Sequence, residues 1–278
     1  MDTNKVWFVT GASKGMGLSL VKRLIRSGCR VAATSRKSQS LIDAIGDFGG
    51  QQFLPLQVDL TSEESIAEAF ERVIAHFGKI DVLVNNAGYG IGGAVEELNQ
   101  KEIKDSFGIN VMAVIKTMQS VMPYFREQKS GNIINISSIA GFAPGIGWAM
   151  YAATKYAVTG LSEVMAEDVR EFGIKVTVVA PGAFRTGFLE DSSLVFAENK
   201  IEGYHAIRTS HEKYAAMNGV QAGDPEKLAQ VLIDLSENPN PPVRLYLGSD
   251  AYHRAKDKIK LLSEELESNK GISYSTDF

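Results

Sequence analysis

Short apolar runs alternate along this chain with longer stretches whose apolar residues recur every three or four positions. The run Val6-Trp-Phe-Val-Thr10 is β-prone, and Leu18, Val21, Leu24 and Ile25 come after it at helical spacing. Residues 29–34 read as a second strand and 52–58 as a third, where Pro55 suggests an edge position because proline cannot donate to a ladder. Thr61-Ser-Glu-Glu64 has the form of a capping box opening a helix that runs to about Phe77. A fourth strand at 81–84 ends at Asn85, two helical stretches fill 99–125, and a fifth strand occupies 132–136. A long helix over 151–172 leads to a sixth strand at 175–180. Asp224 caps and Pro225 begins another helix, and Arg244–Leu247 is a seventh strand. Such alternation predicts an α/β fold, a single doubly wound unit over 1–278 with a seven-stranded parallel sheet and helices on both faces. Sheets of this kind bind ligands beyond the carboxyl ends of their strands. Gly11, Asn85, Ser138 and Pro181 succeed the first, fourth, fifth and sixth strands, so four loops are expected to converge on one crevice.

The chemistry sits in those loops. Gly11-Ala-Ser-Lys-Gly15-Met-Gly17 lies between the first strand and its helix, the arrangement in which backbone amides and a helix dipole cradle a pyrophosphate. An ordinary tight turn is the alternative reading of this segment alone. Tyr151 and Lys155 are four apart, hence on one helix face. An ammonium beside a phenol favours the phenolate and lowers the tyrosine pKa from its ordinary value of about 10. A unit charge at ~4 Å in an effective dielectric of ~20 is worth ~4 kcal/mol, enough to lower that pKa by up to ~3. The pair alone is weak evidence; its neighbours give it weight.

Taken together, Thr10-Gly-Ala-Ser-Lys-Gly-Met-Gly17, Asn85-Asn-Ala-Gly88, Asn110, Ser138, Tyr151-x-x-x-Lys155 and Pro181-Gly182 resemble, in order and spacing, the short-chain dehydrogenase/reductase family. The resemblance runs from about Lys5 to about Leu247. The gap between Gly11 and Gly15 is similar to that of the family's main branch, and Asn85-Asn-Ala-Gly-Tyr-Gly-Ile-Gly-Gly with the long C-terminal extension looks most like its hydroxysteroid- and retinol-dehydrogenase-like members. The resemblance implies a Rossmann fold and an oxidoreductase that interconverts a carbonyl and an alcohol. Tyr151 is then the proton donor, Lys155 holds the nicotinamide ribose and lowers the tyrosine pKa, Ser138 bonds the substrate oxygen, and Asn110 supports a water passing protons towards Lys155. The cofactor contacts it implies are Gly11, Ser13, Lys14, Gly15, Met16 and Gly17 in the first loop, Ser35 and Arg36 after the second strand, and Asp59 after the third. Asn86, Ala87, Gly88, Pro181, Gly182 and Thr186 complete the set with Tyr151 and Lys155.

At the end of the second strand an NAD site usually carries an acid. Here Ser35-Arg36-Lys37 stands instead, and Arg36 can clamp a 2′-phosphate with Lys14 opposite, which points to NADP(H). Solvated surface cations are the plainer reading of these three residues.

Composition narrows the field further. Hydrophobic residues make up 44% and the net charge is −4, so no basic footprint suggests nucleic acid. No apolar run approaches the ~20 residues that span a bilayer, Met1-Asp-Thr-Asn4 leaves no room for a leader, and Cys29 is the only cysteine. A cytoplasmic protein without a membrane partner is expected. His205 and His211 lack companions at metal spacing, and no metal is implied. Residues 187–223, rich in Phe188, Leu189, Leu194, Tyr214 and Met217, read either as a lid over a hydrophobic carbonyl or alcohol substrate or as packing onto the body. Residues 250–267 form an amphipathic helix with Ile259, Leu262 and Leu266 on one face, expected to lie back on the domain or cover a neighbouring subunit, with 268–278 as a frayed tail. Family members commonly form homodimers or homotetramers through the helices near 100–125 and 151–172. The remaining alternative is a protein that binds NADP(H) as a sensor or scaffold without turnover.

Overall fold

The computed structural model describes residues 2–46, 50–190 and 193–278. In chain order it builds β1 (Val6–Val9), α1 (Gly15–Arg26), β2 (Arg30–Ser35), α2 (Ser38–Ile45), β3 (Phe53–Gln57), α3 (Glu63–Phe77) and β4 (Val82–Asn85). A short β5 (Gly90–Gly92), α4 (Gln100–Phe107), α5 (Ala113–Gln128), β6 (Gly131–Ile136), α6 (Ala149–Asp168) and β7 (Ile174–Pro181) come next. The rest is β8 (Leu194–Phe196), α7 (His205–Ala216), α8 (Pro225–Glu237), β9 (Arg244–Leu247), α9 (Ser249–Ser268) and α10 (Lys270–Tyr274).

Seven strands form one sheet in the order β3-β2-β1-β4-β6-β7-β9, parallel throughout, and Pro55 sits on the edge strand as expected. Successive side chains point to opposite faces. Trp7, Val9, Val31, Ala33, Val82 and Val84 therefore meet α1, α2 and α8, while Val6, Phe8, Ala32, Leu83 and Ile133 meet α3, α5 and α6. Burial on both faces is why the strands are continuously apolar and carry no alternation. Phe8 stacks on Phe70 with ring centroids 4.4 Å apart, tying α3 to the sheet.

Several boundaries differ from the sequence reading. Ser62, not Thr61, caps α3, its hydroxyl accepting from the Ser65 amide; Thr61 is drawn instead to Asp59, donating its amide and hydroxyl to Oδ1 at 2.8 and 2.7 Å. The long helix ends at Asp168, and a tighter turn, Arg170–Phe172, takes it to Gly173 in the left-handed region. Residues 270–274 are helical rather than frayed, and Ala251 and Ala255 pack under α9 while Ile259, Leu262 and Leu266 remain exposed. No helix among the described residues is long and apolar enough to cross a membrane.

A buried polar ladder crosses the middle of the sheet. Thr117 donates to Asn85 Oδ1 at 2.7 Å, the Asn85 amide to Asn135 Oδ1 at 2.9 Å, and the Asn135 amide to Ser162 Oγ at 2.9 Å. It links α5, β4, β6 and α6 directly beneath the strand ends that bear the motifs. Leaving a buried donor or acceptor unmade costs about 1–3 kcal/mol each. Asn135→Ala leaves the Asn85 amide without its acceptor and the Ser162 oxygen without its donor, and is expected to lower the unfolding free energy by about 2–4 kcal/mol; Ser162→Ala, which removes one link, by roughly 1 kcal/mol. Urea midpoints compare the two, and equal losses would mean that Asn135 does not tie its neighbours into one ladder.

Candidate active site

The glycine loop is shaped by what it touches. Gly11 and Gly15 are left-handed, at φ 63° and 60°. A Cβ on Gly11 would lie 2.7 Å from the Ala87 Cα, and one on Gly17 would lie 2.4 Å from Asn86 Nδ2. Gly11 and Gly17 thus let the β1–α1 turn close on Asn86 and Ala87, whereas a Cβ on Gly15 would meet Thr186 only at ordinary contact distance, 3.6 Å. Asn86 Nδ2 donates to the carbonyls of Thr10 and Gly11 at 3.0 and 2.9 Å, and Thr10 Oγ1 accepts from the amides of Asn86 and Ala87 at 3.0 and 3.1 Å.

Beyond this clamp runs a groove of about 910 Å³. Gly11, Ser13, Lys14, Gly15 and Met16 form one wall at the N-terminus of α1, where helix amides favour an anion. Ser35 and Arg36 line it after β2, and Asp59 after β3. Partial burial and the neighbouring Arg36 both lower the Lys14 pKa, while Glu190 opposes them. Two cations in one neighbourhood suit a phosphate. Asp59 is held below the usual carboxylate range by its bonds from Thr61. Asn86, Ala87 and Gly88 form the floor, and Tyr151, Lys155 and Thr186 the far end. Gly17 lines no cavity; its part is the close packing on Asn86.

A second cavity of about 430 Å³ opens from that far end. Met16, Ser137, Tyr151, Thr186, Phe188 and Leu194 belong to both, so the two meet at Tyr151. Ser138, Pro181 and Gly182 lie on the side of the smaller cavity. Its surface is mostly apolar, with Phe184, Phe188, Leu189, Trp148 and Met217 prominent.

The electrostatics here correct the sequence reading. Helical spacing does bring Lys155 beside Tyr151, with the ammonium 5.8 Å from the ring centroid, but Nζ donates to the Ile136 carbonyl at 3.0 Å. Lys155 is buried and Tyr151, which lines both cavities, is half-buried; desolvation penalises whichever form is charged. It pushes the Tyr151 phenol up to about 12, against the pull of a hydrogen bond with Ser138, and brings Lys155 down to about 8. Desolvation outweighs the attraction that was expected to activate the phenol.

Asn110 lies in a π-helical turn, Gly108–Met112, joining α4 to α5. Fully buried, it accepts from the Tyr89 amide at 3.0 Å and donates to the Tyr89 carbonyl at 2.9 Å and Thr154 Oγ1 at 3.3 Å. Its side chain lines neither cavity. It approaches Lys155 across Gly88, where a Cβ would lie 3.0 Å from Asn110 Oδ1 and 3.5 Å from Lys155 Nζ. Thr186 Oγ1 accepts from the Phe188 amide at 3.3 Å and so starts the turn Gly187–Leu189.

Residues from 187–223, among them Phe188 and Leu194, line both cavities, with Asp191 and Ser192 outside the described residues. β8 pairs with β5, and buried Glu97 anchors the segment beyond β8. Its carboxylate accepts from the amides of Ala94 and Ile201 at 2.8 Å each and from the Arg208 guanidinium. The Arg208 bond, chiefly, holds its pKa down to about 2. His211 contacts the Gly147 carbonyl at 3.0 Å and packs with Trp148 and Phe196; it is a structural histidine. No group of three or more His, Cys, Asp or Glu side chains among the described residues is placed to hold a metal. Asp250, which accepts from the Ala183 amide at 2.8 Å and docks α9 against Gly182, escaped the sequence reading, as did Glu97 and Arg208.

Comparison with known proteins places this geometry. The family model described as short chain dehydrogenase matches residues 5–194. The oxidoreductase BOA17 of Botryotinia fuckeliana is 33% identical over 98% of this chain and 99% of its own. The 3-ketodihydrosphingosine reductase of Bacteroides thetaiotaomicron is 35% identical over 88% of each. A crystal structure of a short-chain dehydrogenase from Streptomyces avermitilis superposes with a TM-score of 0.91, at 34% identity over 99% of both chains. Neighbours of the same fold have been solved with NADH, NAD or NADP+ bound. With its strand order, its glycine loop and its Ser138, Tyr151 and Lys155 brought to one crevice, the chain belongs to the short-chain dehydrogenase family of oxidoreductases.

Proposed function

We propose that this protein is an NADP(H)-dependent carbonyl reductase acting on a hydrophobic ketone or aldehyde. The observation behind the proposal is the meeting of a polar groove and an apolar cavity at Tyr151, with Ser138 on the cavity side and Lys155 on the groove side. A nicotinamide dinucleotide fits the groove: the glycine loop lets the backbone approach a pyrophosphate, and Lys14, Ser35 and Arg36 suit a 2′-phosphate where the end of β2 carries no acid. Asp59, Asn86, Ala87, Gly88 and Thr186 would line the remainder, with Pro181 and Gly182 bordering the reacting end. When bound, the nicotinamide supplies the hydride.

The chain's own groups then handle the proton. A phenol protonated up to about 12 is an acid at neutral pH, suited to giving its proton to a carbonyl oxygen as negative charge develops there. Ser138 bonds the same oxygen and stabilises that charge in a site with little water. Lys155 is charged at neutral pH and begins to lose its proton near 8. Asn110 fixes Tyr89 and backs Gly88, which keeps the floor of the groove in place beside Lys155. An assembly as homodimer or homotetramer through α5 and α6 accords with Tyr156 and Val164, apolar residues left exposed on α6.

NADPH oxidation across ketones and aldehydes is the direct test. Tyr151→Phe should lower turnover by ~10²–10⁴-fold while cofactor affinity holds; retained affinity with no turnover by the wild type on any carbonyl would favour a sensor. Arg36→Ala should weaken NADPH binding by roughly 10–100-fold, the worth of a charge-assisted pair, and leave NADH unmoved. A parallel loss for both dinucleotides would place Arg36 elsewhere than at a 2′-phosphate. Tyr151 stays protonated to about 12 and Lys155 loses half its charge at about 8, so reduction should be level from about pH 6 to 7 and then fall through 8. In Lys155→Met the falling limb should vanish from the residual rate.

A further inference from the structure

Gln221 is buried, only 4% exposed, and neither its amide nitrogen nor its amide oxygen has a hydrogen-bond partner among the described residues. It lines the apolar cavity beside Tyr151. Trp148, 6% exposed, lines the same cavity, and its Nε1 is likewise unpartnered. The five-membered edge of the indole faces the cavity side: Cδ1 lies 3.7 Å from where a Cβ on Gly145 would stand, while the opposite edge abuts Gly92. Buried polar groups in folded proteins are nearly always paired, and each that is not asks for an explanation.

Gln221 is not loosely placed. Phe184 and Gly223 form a β-bridge, with Arg185 donating its amide to the Gly223 carbonyl at 2.8 Å and Gly223 its amide to the Ala183 carbonyl at 3.0 Å. Arg185 Nε also donates to the Gln221 carbonyl at 3.1 Å. A Cβ on Gly223 would lie 2.7 Å from the Ala183 carbonyl oxygen, so the strand past β7 and the segment carrying Gln221 are in close backbone contact. The backbone is fixed, and the side-chain amide, buried and unpaired on the cavity lining, carries one donor group and one acceptor.

The charged groups lining the same cavity are otherwise engaged. Arg254 donates to the Ala143 carbonyl, Asp250 accepts from the Ala183 amide, and Lys213 is solvent-exposed. The buried polar atoms left unpaired on its lining are neutral: two kinds of donor, from Gln221 and Trp148, and one acceptor, from Gln221.

We infer that Gln221, assisted by Trp148, is a specificity-determining residue that reads a neutral group able both to donate and to accept, a hydroxyl or a carboxamide, carried by the hydrophobic substrate away from its reacting carbonyl. The inference rests on the carbonyl-reductase reading for the identity of the reacting group only. A site built to bond such a group rejects the analogue lacking it, because its own polar atoms stay unpaired. The substrate class is accordingly a hydroxy- or carboxamido-substituted ketone, apolar between its two polar ends.

The test uses three aryl alkyl ketones that differ only at the chain terminus: methyl, hydroxymethyl and carboxamide. Affinities are read by calorimetry on Tyr151→Phe with NADPH present, which does not depend on turnover, and kcat/KM is read on the otherwise unchanged enzyme. The parent should favour the hydroxyl or the carboxamide over the methyl compound by ~10–100-fold, and whichever is preferred identifies the group. Gln221→Leu should abolish that preference, with the methyl ketone bound as well or better. Removing an unpaired buried amide leaves the fold at least as stable, so the melting temperature should hold or rise; Gln221→Met serves as the unbranched alternative. Equal affinity for all three ketones in the parent, binding of none, or a preference that survives in both variants would overturn the inference. Discrimination in binding without NADPH oxidation would instead sink the reductase reading and leave this one standing.

Discussion

Thr10 and Asn86 lie at the centre of four hydrogen bonds across the ends of β1 and β4. Two amides reach one hydroxyl oxygen, and one side-chain amide reaches two carbonyls. The exchange satisfies backbone groups that the parallel ladder abandons where the two strands part to open the crevice. Everything on the groove side is referred to it. Gly11 and Gly17 have no side chain because the clamp lies against them. The start of α1 is thereby fixed over the groove, and Gly88, two residues past Asn86, is brought between Asn110 and Lys155. A side chain at any of these glycines would push the two halves of the sheet apart at the point where a ligand needs them close.

Burial is the second constraint, and it acts against the simplest idea of how the site works. A lysine four residues from a tyrosine on one helix face suggests Coulombic activation. That expectation assumes the ammonium points at the phenol in a medium resembling a protein surface. Lys155 instead turns to the Ile136 carbonyl, and the cost of desolvating a charged phenol is the largest influence on Tyr151. The same low-polarity setting makes the protonated phenol a firm donor and the Ser138 hydroxyl a strong partner.

The fold was legible because burial on both faces leaves a plain mark: seven continuous apolar runs separated by helical periods, and a proline that only an edge strand tolerates. α2 was not, since eight residues with Leu41 and Ile45 as the buried pair give too short a period to stand out. The Thr61 capping box failed because Asp59, two residues earlier, competes for the same hydroxyl. The glycine loop, Ser138, Tyr151 and Lys155 could be found because each lies at a strand end or on one helix face, a local relation. Glu97, Arg208 and Asp250 could not, since their partners are distant in sequence: Glu97 and Arg208 meet across 111 residues and Ala183 and Asp250 across 67. The one signal on offer was a polar residue in apolar company, as with Asn85 and Asn135 in their strands.

That division matches the two ends of the crevice. The groove is made from β1 through α6, where turns and helix termini set the positions and the backbone itself does much of the binding. The cavity adds to such residues a wall from beyond 194, among them Tyr214, Met217, Gln221 and Arg254, which arrive on segments held by long-range anchors. Glu97 holds the middle of 187–223 through its bonds to Ile201 and Arg208, and the Phe184–Gly223 bridge holds its C-terminal end. A segment pinned at two points keeps its side chains in place beside Tyr151. Substitutions between the anchors can then change what the cavity accepts without disturbing the proton transfer beside it. Gln221 stands next to one anchor rather than midway between them, and an unpaired amide held that firmly has a direction, which is what selection by hydrogen bonding requires.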